Sequence, residues 1–339
     1  MAKTSAFRSC ILIILMTWVC TASSKAISQR CHPQDKKALL QIKREFHSPS
    51  LEKAWDPHTD CCSWNHLSCD LITNRLDFFF FSGGLELHSP TPIPPSIGNL
   101  PYLTELQLHN ISNLIGPIPP SFTNLKNLKT LKISYTNLSG EIPQFLTKLK
   151  TLTSIDLSYN TLFGEIPASL PSLRFLFEII LDGNHLSGPI PDSFGTFSKL
   201  LDTLTLSHNQ LSGRIPPSFG KLDISTLDLS WNKLEGDASM LFGSNKKYVV
   251  LKLSGNSLAF DIGKVGVPKI LTELKFDHNH IYGRLPEGLT DLKILEDLNV
   301  SFNVLCGRIP QGGNLQKFNA SSYTPNKCLC DSPLPKCPY

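Results

Sequence analysis

The sequence predicts a solenoid of about ten stacked repeats, and two observations carry this prediction. The first is a pattern about 24 residues long, seen most plainly in KTLTSIDLSYNTLFGEIPASLPSL at 150–173. Its apolar, Asn, Gly and Pro positions recur in register as Leu176, Ile179, Leu181, Asn184, Leu186, Gly188, Ile190 and Pro191. The second is the shortness of the unit, which cannot bury its own apolar side chains, so successive units must share one core. The fold class is a leucine-rich repeat solenoid, a right-handed α/β superhelix with a concave parallel β-sheet.

Residues 1–24 have the composition of a secretory signal peptide. Lys3 and Arg8 precede an apolar run at 11–20, and small residues follow it. A membrane-spanning helix needs about 20 predominantly apolar residues, and neither this run nor a later segment supplies them. We therefore expect a soluble, secreted mature protein without membrane insertion.

An N-terminal cap is predicted over residues 25–74. The segment PQDKKALLQIKREF at 33–46 has the apolar spacing of an amphipathic helix, with Asp35 as its predicted N-cap. An end repeat lacks a stacking neighbour, so the cap must cover it. The side chains expected to do so are Leu39, Ile42, Phe46, Trp55 and Trp64.

The repeats themselves are expected between residues 75 and 315. In each one, alternation of apolar and polar residues turns the leucines inward and places the intervening residues on the concave face. An asparagine follows, where its amide can pair with buried backbone groups of the turn, so we interpret it as structural. The asparagines are Asn160, Asn184, Asn209, Asn232, Asn256, Asn279 and Asn303. A Gly-x-Ile-Pro step then turns the chain to the convex side, but the repeats at 234–244 and 257–268 lack it.

Cysteines of the expected mature chain form one group of four at each end of the solenoid. They are Cys31, Cys61, Cys62, Cys69, Cys306, Cys328, Cys330 and Cys337. An even number confined to the ends of a secreted solenoid indicates disulfides, and each group permits three pairings. Zinc is the competing interpretation, but paired Cys-x-x-Cys spacing is missing. A C-terminal cap is expected over 316–339.

Acidic residues occupy the exposed strand positions in the middle of the array. They are Asp156, Glu178, Asp182 and Asp228, with Asp202 beside them, and Lys132 lies just before this zone. We predict an acidic binding patch, although aspartates in such strands also keep a sheet soluble. The column directly before the asparagines carries rings, namely Tyr135, Tyr159, His208, Trp231, His278 and Phe302. Such rings are common interface anchors, but they also pack against one another.

Catalysis is not expected. The sequence has no serine-nucleophile motif, no phosphate loop and no metal-ligand spacing. Asp156 and Asp182 superficially resemble a glycosidase pair, but they lie on adjacent strands of an open sheet without a pocket. We therefore predict a protein that is not an enzyme, with no cofactor, no metal and no nucleic-acid partner. Four glycosylation sequons fit passage through the secretory route, at Asn110, Asn137, Asn299 and Asn319.

Three stretches together resemble the plant polygalacturonase-inhibiting proteins, an extracellular leucine-rich repeat family. They are CHPQDKKALLQIK at 31–43, LEGDASMLFG with NSLAFDIGKVG at 234–266, and CGRIPQGGNLQKF with NKCLCDSPLP at 306–335. The resemblance implies an apoplastic or cell-wall protein that binds secreted fungal or insect endopolygalacturonases and limits pectin breakdown. It also implies that neighbouring cysteines pair in order, as Cys31–Cys61, Cys62–Cys69, Cys306–Cys328 and Cys330–Cys337.

The sequence departs from the family at two places. The first strand reads LDFFFFSG, which puts Phe78 and Phe80 on a face expected to be exposed, and Asp331 stands where the family usually has glycine. The resemblance further implies that Val249 and Glu296 occupy variable positions that help to set which enzyme is bound.

A polygalacturonase must hold a polyanionic chain, so its cleft should be basic and an acidic concave face would complement it. Inhibition would then be occlusion of the substrate groove. The candidate partner-binding residues are Asp156, Glu178, Asp182, Thr203, Asp228, Tyr135, Tyr159, His208, Trp231, Val249 and Glu296.

Other partners remain open at this stage. One alternative is an apoplastic signalling or co-receptor-like module on the same scaffold. Another is ice binding, because some relatives of these inhibitors resemble antifreeze proteins, although ice needs a flat and regular surface. Pectin itself is a further possible partner, through the basic residues Lys126, Lys129, Lys148 and Lys150.

Overall fold

A computed structural model describes residues 31–338, and the predicted signal peptide lies outside this range. Two helices come first, α1 at Pro33–Phe46 and α2 at Pro49–Ala54. The strands are, in chain order, β1 Leu67–Cys69, β2 Leu76–Ser82, β3 Thr91–Pro92, β4 Glu105–Gly116, β5 Thr130–Gly140, β6 Ser154–Asp156, β7 Thr161–Gly164, β8 Glu178–Ile180, β9 His185–Pro189, β10 Thr203–Thr205, β11 Gln210–Arg214, β12 Thr226–Asp228, β13 Lys233–Gly236, β14 Val250–Lys252, β15 Ser257–Leu258, β16 Glu273–Lys275, β17 Tyr282–Gly283, β18 Asp297–Asn299, β19 Val304–Arg308 and β20 Cys328–Cys330. Within the described residues, no helix is long and apolar enough to cross a membrane.

Ten strands, one from each expected repeat, pair in parallel to form the concave sheet. They are β2, β4, β5, β6, β8, β10, β12, β14, β16 and β18, and β1 adds an antiparallel edge. The central residue of each short strand, such as Ile155, Leu204 or Leu227, is buried. Most of the remaining strands form parallel pairs along the flank, and short 3₁₀ helices such as Pro217–Lys221 carry the chain back toward the next repeat. The predicted solenoid is confirmed, and the two repeats without the Ile-Pro step form their strands in register.

The recurring asparagines are structural, as predicted. Asn209 is typical: its Nδ2 donates to the carbonyl oxygens of Leu181, Leu206 and Ser207 at 2.9, 3.2 and 3.0 Å. Its Oδ1 accepts a hydrogen bond from the backbone N–H of Leu186 in the preceding repeat at 3.0 Å. One amide therefore satisfies both its own turn and the neighbouring one, where an unpaired buried backbone group would be costly.

The N-terminal cap covers the first repeat through an amphipathic helix and stacked tryptophans. Leu39, Ile42 and Phe46 on α1 are buried, as predicted. The rings of Trp55 and Trp64 stack 5.4 Å apart, and Trp55 also meets a phenylalanine ring of β2 edge-on. The apolar end of the array is thereby shielded from water.

The prediction that Asp35 caps α1 is wrong. The helix begins one residue after His32, whose ring nitrogen accepts from the N–H of Gln34, so Asp35 lies inside the first turn. Its buried carboxylate instead binds the guanidinium of Arg75 through two hydrogen bonds of 2.9 and 2.8 Å and accepts from the N–H of Leu76 at 2.8 Å. A buried guanidinium requires such a partner, and this pair fixes the cap to the first strand of the array.

Four disulfides join the cysteines in the order that the resemblance implies, Cys31–Cys61, Cys62–Cys69, Cys306–Cys328 and Cys330–Cys337. Possible ligand atoms of Cys31, Asp60, Cys61 and Cys62 lie within 4.8 Å of one another. Because all three of those thiols are used in disulfides, they do not form a zinc site. Cys31–Cys61 and Cys62–Cys69 instead staple the N-terminal cap to itself, Cys330–Cys337 does the same in the C-terminal cap, and Cys306–Cys328 joins the C-terminal cap to the last repeat.

The two departures from the family have local structural explanations. Phe78 and Phe80 are half-buried and their rings stack on each other 5.9 Å apart, so neither is fully exposed as the alternation suggests. Asp331 adopts a left-handed backbone with φ of 70°, which explains why glycine is usual there. Its carboxylate accepts a hydrogen bond from the N–H of Cys337 at 3.2 Å.

Candidate partner-binding surface

The strand register defines the central column of the concave face. From repeat three to repeat ten, the aligned residues are Lys132, Asp156, Ile180, Thr205, Asp228, Lys252, Lys275 and Asn299. Neighbouring strands of a sheet lie about 4.8 Å apart, so each of these side chains can reach the next. The column is chemically irregular, with charged, apolar and polar residues following one another.

Asp156 does not present a free carboxylate, contrary to the sequence prediction. Its side chain is 7% exposed and pairs with Lys132 of the preceding strand at 2.8 Å. It also accepts hydrogen bonds from the N–H and hydroxyl of Ser158 at 3.0 and 2.6 Å. The physical reason is the register itself, because a lysine one strand away is close enough to neutralise the aspartate.

Four carboxylates in the middle of the array form what we name the acidic surface: Glu178, Asp182, Asp202 and Asp228. All four are partly exposed. Within the described part of the chain, none has a Lys, Arg or His nitrogen within 4 Å of its oxygens. Their partners are hydroxyls and backbone N–H groups, as in the 2.7 Å hydrogen bond from the Ser154 hydroxyl to Glu178. The negative charge of this surface is therefore not compensated within the described residues.

Asp182 accepts the most hydrogen bonds of the four members of the acidic surface. It accepts hydrogen bonds from the Thr205 hydroxyl at 2.6 Å and from the N–H and hydroxyl of Ser207 at 2.6 and 2.8 Å. Burial raises the pKa of Asp182 above its ordinary value; these hydrogen bonds oppose the rise and the charge of Asp228 adds to it. The pKa of Tyr159 is also raised, first by burial and then by Tyr135, Asp182 and Asp228. Both shifts arise first from burial, and neighbouring negative charge adds a smaller contribution.

Ion pairs bound the acidic surface on its C-terminal side. Glu273 bridges Lys252 and Lys275 at 3.0 and 2.8 Å, and Lys275 also pairs with Asp297 at 2.6 Å. Burial alone would raise the pKa of Glu273, but hydrogen bonds from the two lysines outweigh it and the pKa is lowered. Together with the Lys132–Asp156 pair, this network confines the uncompensated charge to the centre of the array.

The aromatic column is exposed and adopts an unusual backbone. All six residues have left-handed φ between 52° and 55°, a region that bulky side chains seldom occupy. Their rings stack along the array: Tyr135 on Tyr159 at 4.3 Å, and His278 on Phe302 at 4.0 Å. The interpretation that they pack against one another is therefore correct, while about half of each tyrosine and tryptophan surface, 44–48%, faces solvent.

Two glycines complete this column and make room for the rings before them. A Cβ on Gly183 would lie 2.6 Å from Cδ1 of Tyr159, and one on Gly255 would lie 2.5 Å from the Trp231 ring. The stack therefore has two groups separated at Gly183, while Trp231 reaches across Gly255 to contact the ring of His278 at 5.6 Å. The break at Gly183 falls beside Asp182 of the acidic surface.

Three further candidates lie at the start of the concave strands. Thr203 is half-buried in β10, in register with Glu178 of β8. Val249 and Glu296 belong to what we name the strand-entry row, the residues directly before each strand, which hydrogen bonds between backbones connect from repeat to repeat. Val249 is half-buried and Glu296 is exposed.

Sequence reasoning missed an apolar feature in the same region. Phe177 lies in the strand-entry row directly before Glu178 and is 54% exposed, and Phe175 and Leu200 next to it are 58% and 54% exposed. The available signal was the presence of apolar residues where the repeat pattern places polar ones, such as Thr151 and Thr153 one repeat earlier.

The sequons differ in their surroundings. Asn110, Asn137 and Asn319 are exposed, and the amide of Asn137 donates to the carbonyl of Ser112. Asn299 is half-buried in the central column of the concave face, where its Oδ1 accepts from the Ser301 hydroxyl at 2.7 Å.

Stacked strands, an asparagine in the turns of repeats four to ten and capped ends define the class as a leucine-rich repeat protein. The family description "Leucine rich repeat N-terminal domain" matches residues 32–70, and "Leucine Rich Repeat" matches 127–149, 151–173, 175–197 and 200–222. The chain is 58% identical to polygalacturonase inhibitor 2 of Phaseolus vulgaris over 97% of its own length and 96% of the relative's. It is also 58% identical to the polygalacturonase inhibitor of Pyrus communis, over 92% and 93% of the two chains. The chain belongs to the polygalacturonase-inhibitor family.

A solved structure extends the comparison to the fold. The crystal structure of a plant ice-binding protein superposes with a TM-score of 0.88 at 44% identity, covering 91% of this chain and 99% of the other. Membership in a family of inhibitors identifies the chain as a protein that is not an enzyme. The same relatives, the N-terminal repeat domain and the four disulfides indicate an extracellular protein.

Proposed function

We propose that the chain binds secreted fungal or insect polygalacturonases in the plant apoplast and inhibits them by covering the substrate groove with its concave face. The observation that carries this proposal is the acidic surface, whose four carboxylates have no cationic partner among the described residues. The relatives named polygalacturonase inhibitors support the same role.

Charge complementarity gives the physical basis of recognition. An enzyme that holds polygalacturonate needs Lys and Arg along its groove, and the acidic surface supplies the opposite sign over the centre of the array. Such complementarity mainly speeds encounter and selects partners. Asp156 contributes little to it, because Lys132 already neutralises its charge.

Affinity is assigned to the exposed rings beside the acidic surface. Tyr159 borders the break in the aromatic column at Gly183, and Trp231 stacks on His208 on the other side of that break. Both are of the residue types that dominate interface hot spots. Stacking on neighbouring rings and left-handed backbones hold them in fixed orientations, which lowers the entropy lost on binding. We assign Tyr135 and His208 as supporting contacts, and Thr203, Val249 and Glu296 as residues at the edge of the footprint that adjust target choice.

The experiment is a titration of purified protein against a panel of fungal and insect polygalacturonases, scored by release of reducing ends. We expect inhibition of at least one enzyme, and an Asp228→Asn variant that associates more slowly with a weaker dependence on salt. The matched control is Asp192→Asn, which removes one charge from an exposed site in a 3₁₀ helix outside the concave sheet. Lack of inhibition across the panel would reject the proposal, and equal effects of the two variants would move the contact elsewhere.

Ice binding is the second candidate, favoured by the similarity to a plant ice-binding protein. The irregular central column argues against a repeating ice-binding array on the concave face. An ice-recrystallisation assay separates the two functions, because an inhibitor without ice activity leaves crystal growth unchanged. If the panel is not inhibited and recrystallisation stops, ice binding replaces the first candidate; if neither responds, a signalling module is the remaining interpretation.

Pectin is proposed as an additional partner in the cell wall. Lys126, Lys129, Lys148 and Lys150 are all exposed and two of them, Lys126 and Lys150, begin adjacent expected repeats. We expect retention on demethylated pectin that persists at moderate salt and falls when Lys148 and Lys150 are changed to Gln. Absence of retention at low salt rejects this partner without affecting the proposed inhibition.

A further inference from the structure

Three exposed apolar residues occupy neighbouring positions of repeats five and six, and we name them the apolar ridge: Phe175, Phe177 and Leu200. Phe177 and Asp202 hold equivalent positions in adjacent repeats and are joined by a backbone hydrogen bond of 2.9 Å. Phe175 and Leu200 each lie two residues before them and so also hold equivalent positions, in adjacent repeats whose strands are about 4.8 Å apart. More than half of each side chain is exposed.

Exposed apolar residues also stand at the position of Phe175 in repeats two, nine and ten, namely Tyr102, Ile270 and Ile294. In those repeats, however, the strand-entry residue is polar, Thr104, Thr272 or Glu296, where repeat five has Phe177. The equivalent positions are Thr151 and Thr153 in the preceding repeat, and Asp223 and Ser225 in the following one. Isolated surface hydrophobic residues are ordinary, but adjacent exposed ones bordered by polar residues are typical of an interaction surface. An exposed aromatic residue in the strand-entry row is therefore specific to repeat five and is not a general property of the array.

The ridge coincides with the uncompensated charge. Glu178 follows Phe177 directly in the chain, and Asp202 is its neighbour in the strand-entry row. Exposed Arg174 and Lys199 directly precede Phe175 and Leu200 on the other side. Basic groups of a partner are attracted by the carboxylates on one side of the ridge and repelled by Arg174 and Lys199 on the other. The footprint of such a partner would therefore end at the ridge.

We propose that the apolar ridge is the hydrophobic anchor of the partner enzyme, contacting an apolar patch that is flanked by Lys or Arg side chains. This inference rests on the proposed function and deepens it, because it moves the centre of the footprint from the middle of the concave face to its strand-entry edge. Phe177 is then a specificity-determining residue in the same row as Val249 and Glu296. Interfaces of this kind place an apolar centre beside polar and charged groups.

The test compares Phe177→Ser and Phe175→Ser with Ile294→Ser, which replaces an exposed apolar residue at the position of Phe175 in repeat ten. Association and dissociation rates are measured with an inhibited polygalacturonase by surface plasmon resonance. We expect Phe177→Ser to weaken Kd about tenfold or more, mainly through faster dissociation, as hot-spot truncations do. The Ile294→Ser variant should bind like the unmodified protein, and unchanged thermal unfolding of all three variants verifies the fold.

Three other outcomes would reject the ridge assignment, the proposed function or the identity of the partner. If the unmodified protein binds the enzyme and Phe177→Ser changes Kd less than about twofold, the ridge is not an anchor while the proposed function stands. If the unmodified protein binds no enzyme of the panel, the proposed function and the ridge assignment both fail. If sedimentation detects a dimer that Phe177→Ser converts to a monomer, the ridge joins two copies of this chain and not the enzyme.

Discussion

The ring of Tyr159 lies over the Cα of Gly183 in the next repeat, so close that a Cβ there would come within 2.6 Å of Cδ1. Gly183 also has a left-handed φ of 65°. The glycine thus serves two purposes: it adopts the left-handed backbone without strain, and it leaves space for the Tyr159 ring. It lies between Asp182 and Asn184, where the acidic surface and the aromatic column meet.

We predict that Gly183→Ala destabilises the protein and weakens partner binding. The left-handed backbone alone costs alanine about 1–2 kcal/mol, and displacement of the Tyr159 ring adds to this. The control is Gly213→Ala, which has a left-handed φ of 76° but no heavy atom within 4 Å of its Cβ. Urea unfolding and inhibition assays of the two variants separate the effects, and equal losses would show that the ring contact contributes nothing.

We predict that Asn209→Ala is destabilising. The substitution removes the amide acceptor of the buried Leu186 N–H, while the carbonyls of Leu181, Leu206 and Ser207 each keep one other donor, from Asn184, Asn232 and Gly183. Since an unpaired buried group costs about 1–3 kcal/mol, a loss of about 1–3 kcal/mol is expected in the free energy of unfolding. Exposed Asn124→Ala should change this free energy by less than about 0.5 kcal/mol, and a comparable loss there would contradict the explanation.

We predict that Arg75→Met lowers the free energy of unfolding by about 3–5 kcal/mol, because it leaves the buried carboxylate of Asp35 without its cation. The double variant Asp35→Leu/Arg75→Met should recover part of this loss, since no buried charge remains. Chemical denaturation of the two variants measures the difference. A double variant no more stable than Arg75→Met would mean that the lost packing, and not the unpaired charge, is responsible.

We predict opposite pH effects of Asp182 on binding and on stability. Because its pKa is raised in the folded protein, its contribution to stability becomes more favourable as pH falls through the folded pKa toward the unfolded one. Attraction to a basic partner requires the charged form, so binding weakens over the same interval. Both profiles are measured relative to Asp182→Asn, in which both pH-dependent differences should vanish. Parallel changes would place the relevant titration at another group.

Much of the fold follows from patterns that depend on one repeat at a time. The structural role of Asn209 and the inward orientation of the leucines could be predicted, because every repeat must pair the backbone groups of its turn and bury its leucine side chains. The cap residues Trp55 and Trp64 could be predicted as well, because an uncovered end exposes apolar surface. The sequence did not reveal the N-cap at His32. Aspartate is a preferred N-cap residue, but Asp35 pairs instead with Arg75, 40 residues away in the chain.

The candidate site was predicted less completely, because it depends on relations between repeats. Lys132 and Asp156 share a column, but their pairing emerges only when the 2.8 Å contact across adjacent strands is considered. The apolar ridge was missed for a related reason: Phe177 and Leu200 look unremarkable singly, and their significance arises from exposure on neighbouring turns. The sequence therefore located the acidic zone but assigned it one carboxylate that is already neutralised.

The identical register of every concave strand has an implication for how this molecule can change size. Removing one complete repeat would rejoin equivalent turns and shorten the curved sheet by about 4.8 Å, with each asparagine still meeting a backbone like its own. Loss of a single residue within a strand would instead turn the wrong side chain inward in that repeat, whereas the segments between strands already tolerate spacings from 23 residues, between Thr205 and Asp228, to 27 residues, between Phe80 and Gln107. Proteins of this kind can thus change the length of their binding surface only by whole repeats, whereas they can change their binding specificity by replacing individual exposed side chains.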